Sequence, residues 1–139
     1  HKVDLNQKNH RGKTPLMKAI SVGNLKIAKV LFENKINVSL TDTKGDSALK
    51  IAVKKQDKKF VKLLLDNKAD IDTKDAKGRS PIFEAILKKR SSMVQLLIDN
   101  KANINLQDKK GRTPLMHAVR HKKNKIVKLL LKKKPILTY

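Results

Sequence analysis

Apolar residues in this chain gather into two kinds of short phrase, and both phrases return on a fixed period. Gly12, Gly45, Gly78 and Gly111 stand 33 residues apart, and each opens the same sequence of events. First comes Thr14-Pro15-Leu16-Met17-Lys18-Ala19, repeated as Ser47-Ala48-Leu49-Lys50-Ile51-Ala52, Ser80-Pro81-Ile82-Phe83-Glu84-Ala85 and Thr113-Pro114-Leu115-Met116-His117-Ala118. A second phrase follows in each copy: Ile27 to Phe32, Phe60 to Leu65, Met93 to Ile98 and Ile126 to Leu131. A hydroxyl residue before Pro is a helix start, because the side-chain oxygen caps free N–H groups and Pro suits the first helical position. Leu16, Ala19 and their equivalents give a short helix an apolar face, with Ala small enough for close approach. The second phrase sets apolar residues at i, i+3 and i+4, as in Ile27, Val30 and Leu31, the spacing of an amphipathic helix.

Between copies, Asp42-Thr43-Lys44-Gly45, Asp75-Ala76-Lys77-Gly78 and Asp108-Lys109-Lys110-Gly111 carry turn chemistry. Asp accepts backbone hydrogen bonds there, and Gly takes the positive φ. Just upstream, Val38, Ile71 and Ile104 are expected in short extended segments. The predicted unit is helix, turn, helix, then a hairpin-like loop, and no unit can bury its apolar faces alone. The fold class is therefore an all-α repeat solenoid of helix-turn-helix units joined by hairpin loops. The expected organisation is one domain over 1–139, with units at 9–41, 42–74, 75–107 and 108–139.

The 33-residue period and the Thr-Pro-Leu-x-x-Ala phrase resemble the ankyrin repeat. The resemblance covers essentially the whole chain in four in-phase copies. Residues 1–8 match the tail of a unit, since His1 to Asn6 align with Asn67 to Asp72, so further repeats are expected to precede this sequence. Several positions depart from the family pattern. Lys35, Lys68, Lys101 and Lys134 stand where Gly usually closes the second helix; a left-handed non-Gly residue costs on the order of 1 kcal/mol, partly offset by a cation at the helix C-terminus. Asn34, Asn67 and Asn100 are candidates to share that conformation. The family's first-phrase His becomes Met17, Lys50, Phe83 and Met116, which removes a polar packing element. From Lys134 to Tyr139 the pattern stops: either the array ends there or the sequence has been cut.

Composition narrows the class. Aromatic residues make up 3% of the chain, and no apolar run approaches the roughly 20 residues of a membrane helix. Cysteine is absent, which excludes disulfides and thiolate chemistry without fixing a compartment. A cytoplasmic location is favoured and a secreted effector is the alternative. The net charge is +22, and only five of the 34 basic residues are Arg. Abundant Lys, Asn and Ile is also what AT-rich coding produces, so the charge has two readings of equal standing, mutational drift and selected binding chemistry.

No catalytic set is visible: the carboxylates recur at repeat-locked positions, as turn residues do, and the glycines occur singly. His117 and His121 are four apart on a predicted helix and could present two ligands on one face. The residues between them include no Glu of a zinc-hydrolase motif and no Cys lies near, so ordinary surface positions are expected. No cofactor, metal or catalytic residue is predicted.

The resemblance implies a concave surface built from loop tips and the ends of the first helices. By position the tips supply Arg11, Lys13, Lys44, Lys77, Arg79, Lys110 and Arg112. The first helices supply Val22, Lys54, Lys55, Leu87, Lys88, Arg120 and His121. Four of the five Arg residues fall in this set, and Arg suits bidentate recognition of carboxylate or phosphate. The expected function is a monomeric, non-catalytic protein-binding module that takes an acidic partner on this basic face, with Val22 and Leu87 as apolar contacts. The alternative is electrostatic binding of nucleic acid or of an anionic membrane surface. The presumed face lacks the aromatic platforms common in single-strand binders, and a plain solvated basic face is the simplest reading of the same residues.

Overall fold

The computed structural model describes residues 3–132. Lys134 as a helix-closing residue and the pattern-breaking segment that follows it lie outside these residues. Eight helices run in sequence: α1 Pro15–Val22, α2 Leu25–Glu33, α3 Ala48–Lys55, α4 Lys58–Asp66, α5 Pro81–Leu87, α6 Ser91–Asp99, α7 Pro114–Arg120 and α8 Asn124–Lys132. They pair as α1–α2, α3–α4, α5–α6 and α7–α8, and α1, α3, α5 and α7 pack side by side in one row. No strand forms among the described residues; a single antiparallel bridge, Thr41 to Ser47, closes the base of one loop. No described helix is long and apolar enough to cross a membrane.

Local chemistry starts the first helix of three of the four units as the sequence predicts. Thr14, Ser47 and Thr113 accept a hydrogen bond on their hydroxyl from the N–H three residues on, at 3.2, 3.1 and 3.3 Å. Ser80 is the exception and makes no such bond. Asn24 and Asp57 cap α2 and α4 in the same way. At the far ends, Lys35, Lys68 and Lys101 are left-handed, with φ of 58, 67 and 68°. Asn34, Asn67 and Asn100 do not share that conformation: their φ values are −101, −99 and −96°. Each Asn instead donates its side-chain N–H to the carbonyl four residues back (Val30, Leu63 or Leu96) at 2.8 Å, satisfying an acceptor that the ending helix leaves open.

Val38, Ile71 and Ile104 lie in turns, not extended segments. A side chain just before each turn folds the backbone locally: Asn37, Asp70 and Asn103 accept from the N–H two residues on at 2.9 Å. That local bond competes successfully with strand pairing, which has no partner here. Asn6 and Asp72 also reach one unit forward, accepting the N–H of Asn37 at 2.8 Å and of Asn103 at 2.9 Å.

The core follows the stack. Ala19, Ala52, Ala85 and Ala118 are all buried, which lets the first helices approach closely, and Ile20, Leu49, Phe60, Leu64, Ile82, Phe83, Ile86 and Leu97 fill the space between units. Phe83 and Met17 are buried in the slot of the family's His, whereas Met116 in the last unit is 52% exposed. Apart from Val3, the exposed large apolar residues belong to the two outer helix pairs: Val22, Ile27 and Val30 in the first, Met116, Val119 and Leu131 in the last. Interior units cover one another, whereas the outer helix pairs meet another described unit on one side only.

Candidate binding face

Each inter-unit loop is organised by one acceptor at its start. Asp42 Oδ1 accepts the N–H groups of Lys44 and Asp46, both at 2.9 Å. Asp75 does the same for Lys77 and Arg79, at 2.8 and 3.0 Å, and Asp108 for Lys110 and Arg112, at 2.9 Å. Asn9 replaces Asp in the first loop and accepts from Arg11 and Lys13 at 2.9 and 3.0 Å. Glycine is required at the tip for two reasons. Gly12 has φ 73°, and an added Cβ would sit 2.7 Å from the Thr43 nitrogen of the next loop. Thr43 N–H in turn donates to the Arg11 carbonyl at 3.0 Å, so adjacent loops touch through backbone.

The second carboxylate oxygen of each Asp meets a cation from the preceding unit. Lys13 Nζ lies 2.6 Å from Asp42 Oδ2, Lys50 Nζ 2.7 Å from Asp75 Oδ2, and Arg79 Nε 3.7 Å from Asp108 Oδ2. The middle rung is built differently. Where the other units have Lys13, Arg79 and Arg112, the second has Asp46, and Lys50 supplies the charge from the slot held elsewhere by Met17, Phe83 and Met116. Lys50 also pairs with Asp46 at 2.8 Å and lies 4.0 Å from Glu84. The departure from the family pattern at residue 50 therefore exchanges one polar packing element for another. The pattern of charges at 13, 46, 79 and 112 contained that signal.

Burial pushes the carboxyls of Asp42 and Asp75 up, but hydrogen bonds outweigh it and hold both below their ordinary value. For Asp42 the opposing donors are Lys13 and the N–H groups of Asp46 and Lys44; for Asp75 they are Lys50 and the N–H groups of Arg79 and Lys77. Asp108 is held well below the carboxylate range: His117, the loop N–H groups and Arg112 overcome its loss of hydration. Lys50 is raised, because the Asp46 and Asp75 carboxylates outweigh the cost of burying its ammonium.

His117 is a buried residue, not the surface position expected from sequence. Only 2% of it is exposed; Nε2 is 3.0 Å from Asp108 Oδ2, and the ring meets Phe83 edge-on at 5.5 Å between centroids. Its place in the phrase faces the preceding unit, which covers it. His121 lies just past the end of α7, with its ring parallel to that of His117 at 6.3 Å. Loss of hydration and the like charges of Arg120, His117, Lys123 and Lys89 hold His121 below its ordinary value. Among the described residues no three His, Asp or Glu side chains converge as a metal site would need.

Two adjoining grooves gather most of the expected surface. One, of about 400 Å3, lies between the loops at 42–46 and 75–79 and is lined by Lys44, Lys54, Lys77, Arg79, Leu87 and Lys88, together with Asp46, Lys50, Asp75, Ala76, Ser80 and Glu84. The next, of about 300 Å3, brings Lys77 and Arg79 together with Lys110, Arg112, Lys109, Ala76 and Asp108. Arg11, Lys13, Val22, Lys55, Arg120 and His121 line neither. Lys13 is engaged by Asp42, while Lys55 Nζ donates to the carbonyls of Ile20 and Ser21 at 3.0 and 2.6 Å, closing the end of α1. Arg11, Val22, Arg120 and His121 are exposed. Ser80 is a groove residue that sequence reading passed over, because its slot in the phrase reads as a helix cap.

No curated protein matches the chain. The family model described as ankyrin repeats (3 copies) matches residues 1–75 and again 67–138, so that every helix described above falls within a match. With that match, the helix pairs and the row of Gly-tipped loops, the chain belongs to the ankyrin repeat family, whose members are generally protein–protein interaction modules.

Proposed function

We propose that the domain, with its four units at 9–41, 42–74, 75–107 and 108–139, binds an acidic segment of a partner protein. The contact surface is the basic concave face made by the loop tips and first helices. The observation that carries this reading is the larger groove. Lys44, Lys54, Lys77 and Lys88 converge on it, and none makes an ion pair with another described residue. Cations committed inside the fold, such as Lys13 and Lys50, are neutralised; these four are available to an incoming anion. Leu87, partly exposed on the groove wall, adds an apolar contact. Arg112, Lys110, Arg11 and Arg120 extend the positive field along the stack and steer an acidic partner during encounter, with the neutral His121 as a contact at its end. Nothing in this arrangement requires a cofactor or a reaction, and the domain works as a monomer.

Binding measured against salt tests the proposal. The chain is titrated with an Asp/Glu-rich peptide, a random-sequence DNA duplex and anionic vesicles at about 50 and 200 mM salt, where a contact with 6–10 phosphates loses roughly 10³–10⁵ in affinity. The peptide is expected to retain binding at the higher salt and to lose it when Lys54, Lys77 and Lys88 are changed to Gln. DNA affinity that survives the higher salt while the peptide fails to bind would reverse the assignment.

A further inference from the structure

Ser80 separates one groove from an otherwise uniform set of loops. Its counterparts Thr14, Ser47 and Thr113 all spend their hydroxyl on capping the helix that follows. Ser80 does not: Phe83 N–H donates to the Ser80 backbone carbonyl at 3.0 Å instead, and the hydroxyl has no partner, although the residue is only 1% exposed. A buried hydroxyl without a partner is costly, on the order of 1–3 kcal/mol. The residue lines the 400 Å3 groove between the second and third units. Arg79, beside it in sequence and lining the same groove, also has its Nε–H without a hydrogen-bond partner, at 3.7 Å from the nearest Asp108 oxygen.

We propose that this groove is an oxyanion pocket for a phosphorylated side chain of the partner protein, with the Ser80 hydroxyl and the Arg79 guanidinium as directional donors and Lys77 and Lys54 as the surrounding charge. The proposal rests on the basic-face reading above and deepens it. A phosphate ester is favoured over a carboxylate on charge and on donor geometry. Six cations and three carboxylates line the groove, an excess of three positive charges that one carboxylate leaves largely unbalanced. A phosphoryl group brings about −1.5 to −2 charges and three acceptor oxygens, enough to meet a hydroxyl, a guanidinium and an ammonium at once. Arg matches such an anion through its planar fork, and Leu87 and Ala76 on the walls accommodate the aliphatic part of the incoming residue. The corresponding hydroxyls in the other units are occupied by their helices, so this pocket is particular to one place in the array.

The test uses the full 139-residue chain, 15N-labelled, and three peptides identical but for a central Ser, Glu or phosphoserine, with inorganic phosphate as a fourth probe. The phosphoserine peptide is expected to bind roughly tenfold more tightly than the Glu peptide, consistent with added hydrogen bonds to a charged group, and to shift the amides of Lys77, Arg79 and Ser80 above all others. Ser80→Ala removes no cap, so the fold is expected to persist, and it should abolish the preference for phosphoserine over Glu. Lys62→Gln, on the exposed side of α4, serves as the equal-charge control for Lys77→Gln and should leave binding unchanged. Equal affinity for the Glu and phosphoserine peptides, shifts spread along all the loops and no effect of Ser80→Ala would overturn the pocket while leaving the basic face intact. Failure of every acidic peptide to bind would overturn both. Inorganic phosphate binding as tightly as the phosphopeptide would make the site one for free anions and would overturn the assignment to a protein side chain.

Discussion

At the scale of single residues, one hydroxyl in four behaves differently from its sequence. Thr14, Ser47 and Thr113 each hold an N–H at the start of a helix, so their replacement by Ala should cost about 1 kcal/mol apiece. Ser80→Ala, which loses no such bond and removes a buried hydroxyl without a partner, should instead gain stability, on the order of 1 kcal/mol. Chemical denaturation of the four variants checks the contrast, and a Ser80→Ala loss as large as the others would mean its hydroxyl does cap α5 in solution. The sequence made all four look alike, because the residue type was read and the rotamer could not be. The left-handed lysines were legible: a Gly slot filled by Lys35, Lys68 or Lys101 still demands the same φ. The neighbouring Asn residues were not, because a side chain that bonds back to the carbonyl four residues earlier serves the helix end without positive φ.

At the scale of elements, neighbouring units are joined by a rung of opposite charge, and the rung between the second and third units uses a different residue pair from its neighbours. Lys50→Met restores the apolar residue of the other units but leaves Asp46 and Asp75 without their cation, and should destabilise by about 2 kcal/mol, the scale of a lost hydrogen bond to a charged group. Adding Asp46→Lys puts a cation where Lys13 and Arg79 stand and should recover most of the loss. A double-mutant cycle reads the coupling directly, with 0.5–3 kcal/mol as the usual range for contacting residues. If the double variant is no more stable than Lys50→Met alone, the two positions do not substitute for one another. Helix starts, loop glycines and the order of elements were all visible in the 33-residue phrase. The rung was not, because it joins residues 25 or 29 apart whose pairing appears only once the units are stacked.

At the scale of the whole molecule, the ion pairs set a working window in pH. Asp42, Asp75 and Asp108 sit below the ordinary value of 3.8 in the folded chain, so between those lowered values and about 4 the unfolded chain binds more protons. Their contribution is complete above that range and is lost as pH falls through the folded values. Lys50 is raised above 10.5, so its contribution is complete below that value and is lost as pH rises through the folded one. Thermal melts should therefore show a plateau from about pH 7 to 10: on the acid side His121, held below its ordinary value of 6.5, loses its contribution first as pH falls, and the carboxylates follow below about pH 5. A melting temperature that stays flat down to about pH 5 would mean that His121 contributes nothing. Added salt should raise stability within the plateau, since a net charge of +22 opposes the compact state. The grooves belong to this scale too. Sequence position named half of their lining, yet Lys13 and Lys55 looked equally available until the stack showed what each already holds.

The charged rungs bear on how such an array can be edited in length. Every loop that begins with Asp is preceded by a unit that supplies a cation, through Lys13, Lys50 or Arg79, and the one uncharged acceptor, Asn9, needs none. Excising residues 42–74 would bring Lys13 up to Asp75, and tandem copying of that stretch would set Lys50 against a fresh copy of Asp42. In either rearrangement each loop-opening Asp still finds its counter-charge, so recombination within the gene can lengthen or shorten the stack one whole unit at a time without leaving one of these buried acids unmatched.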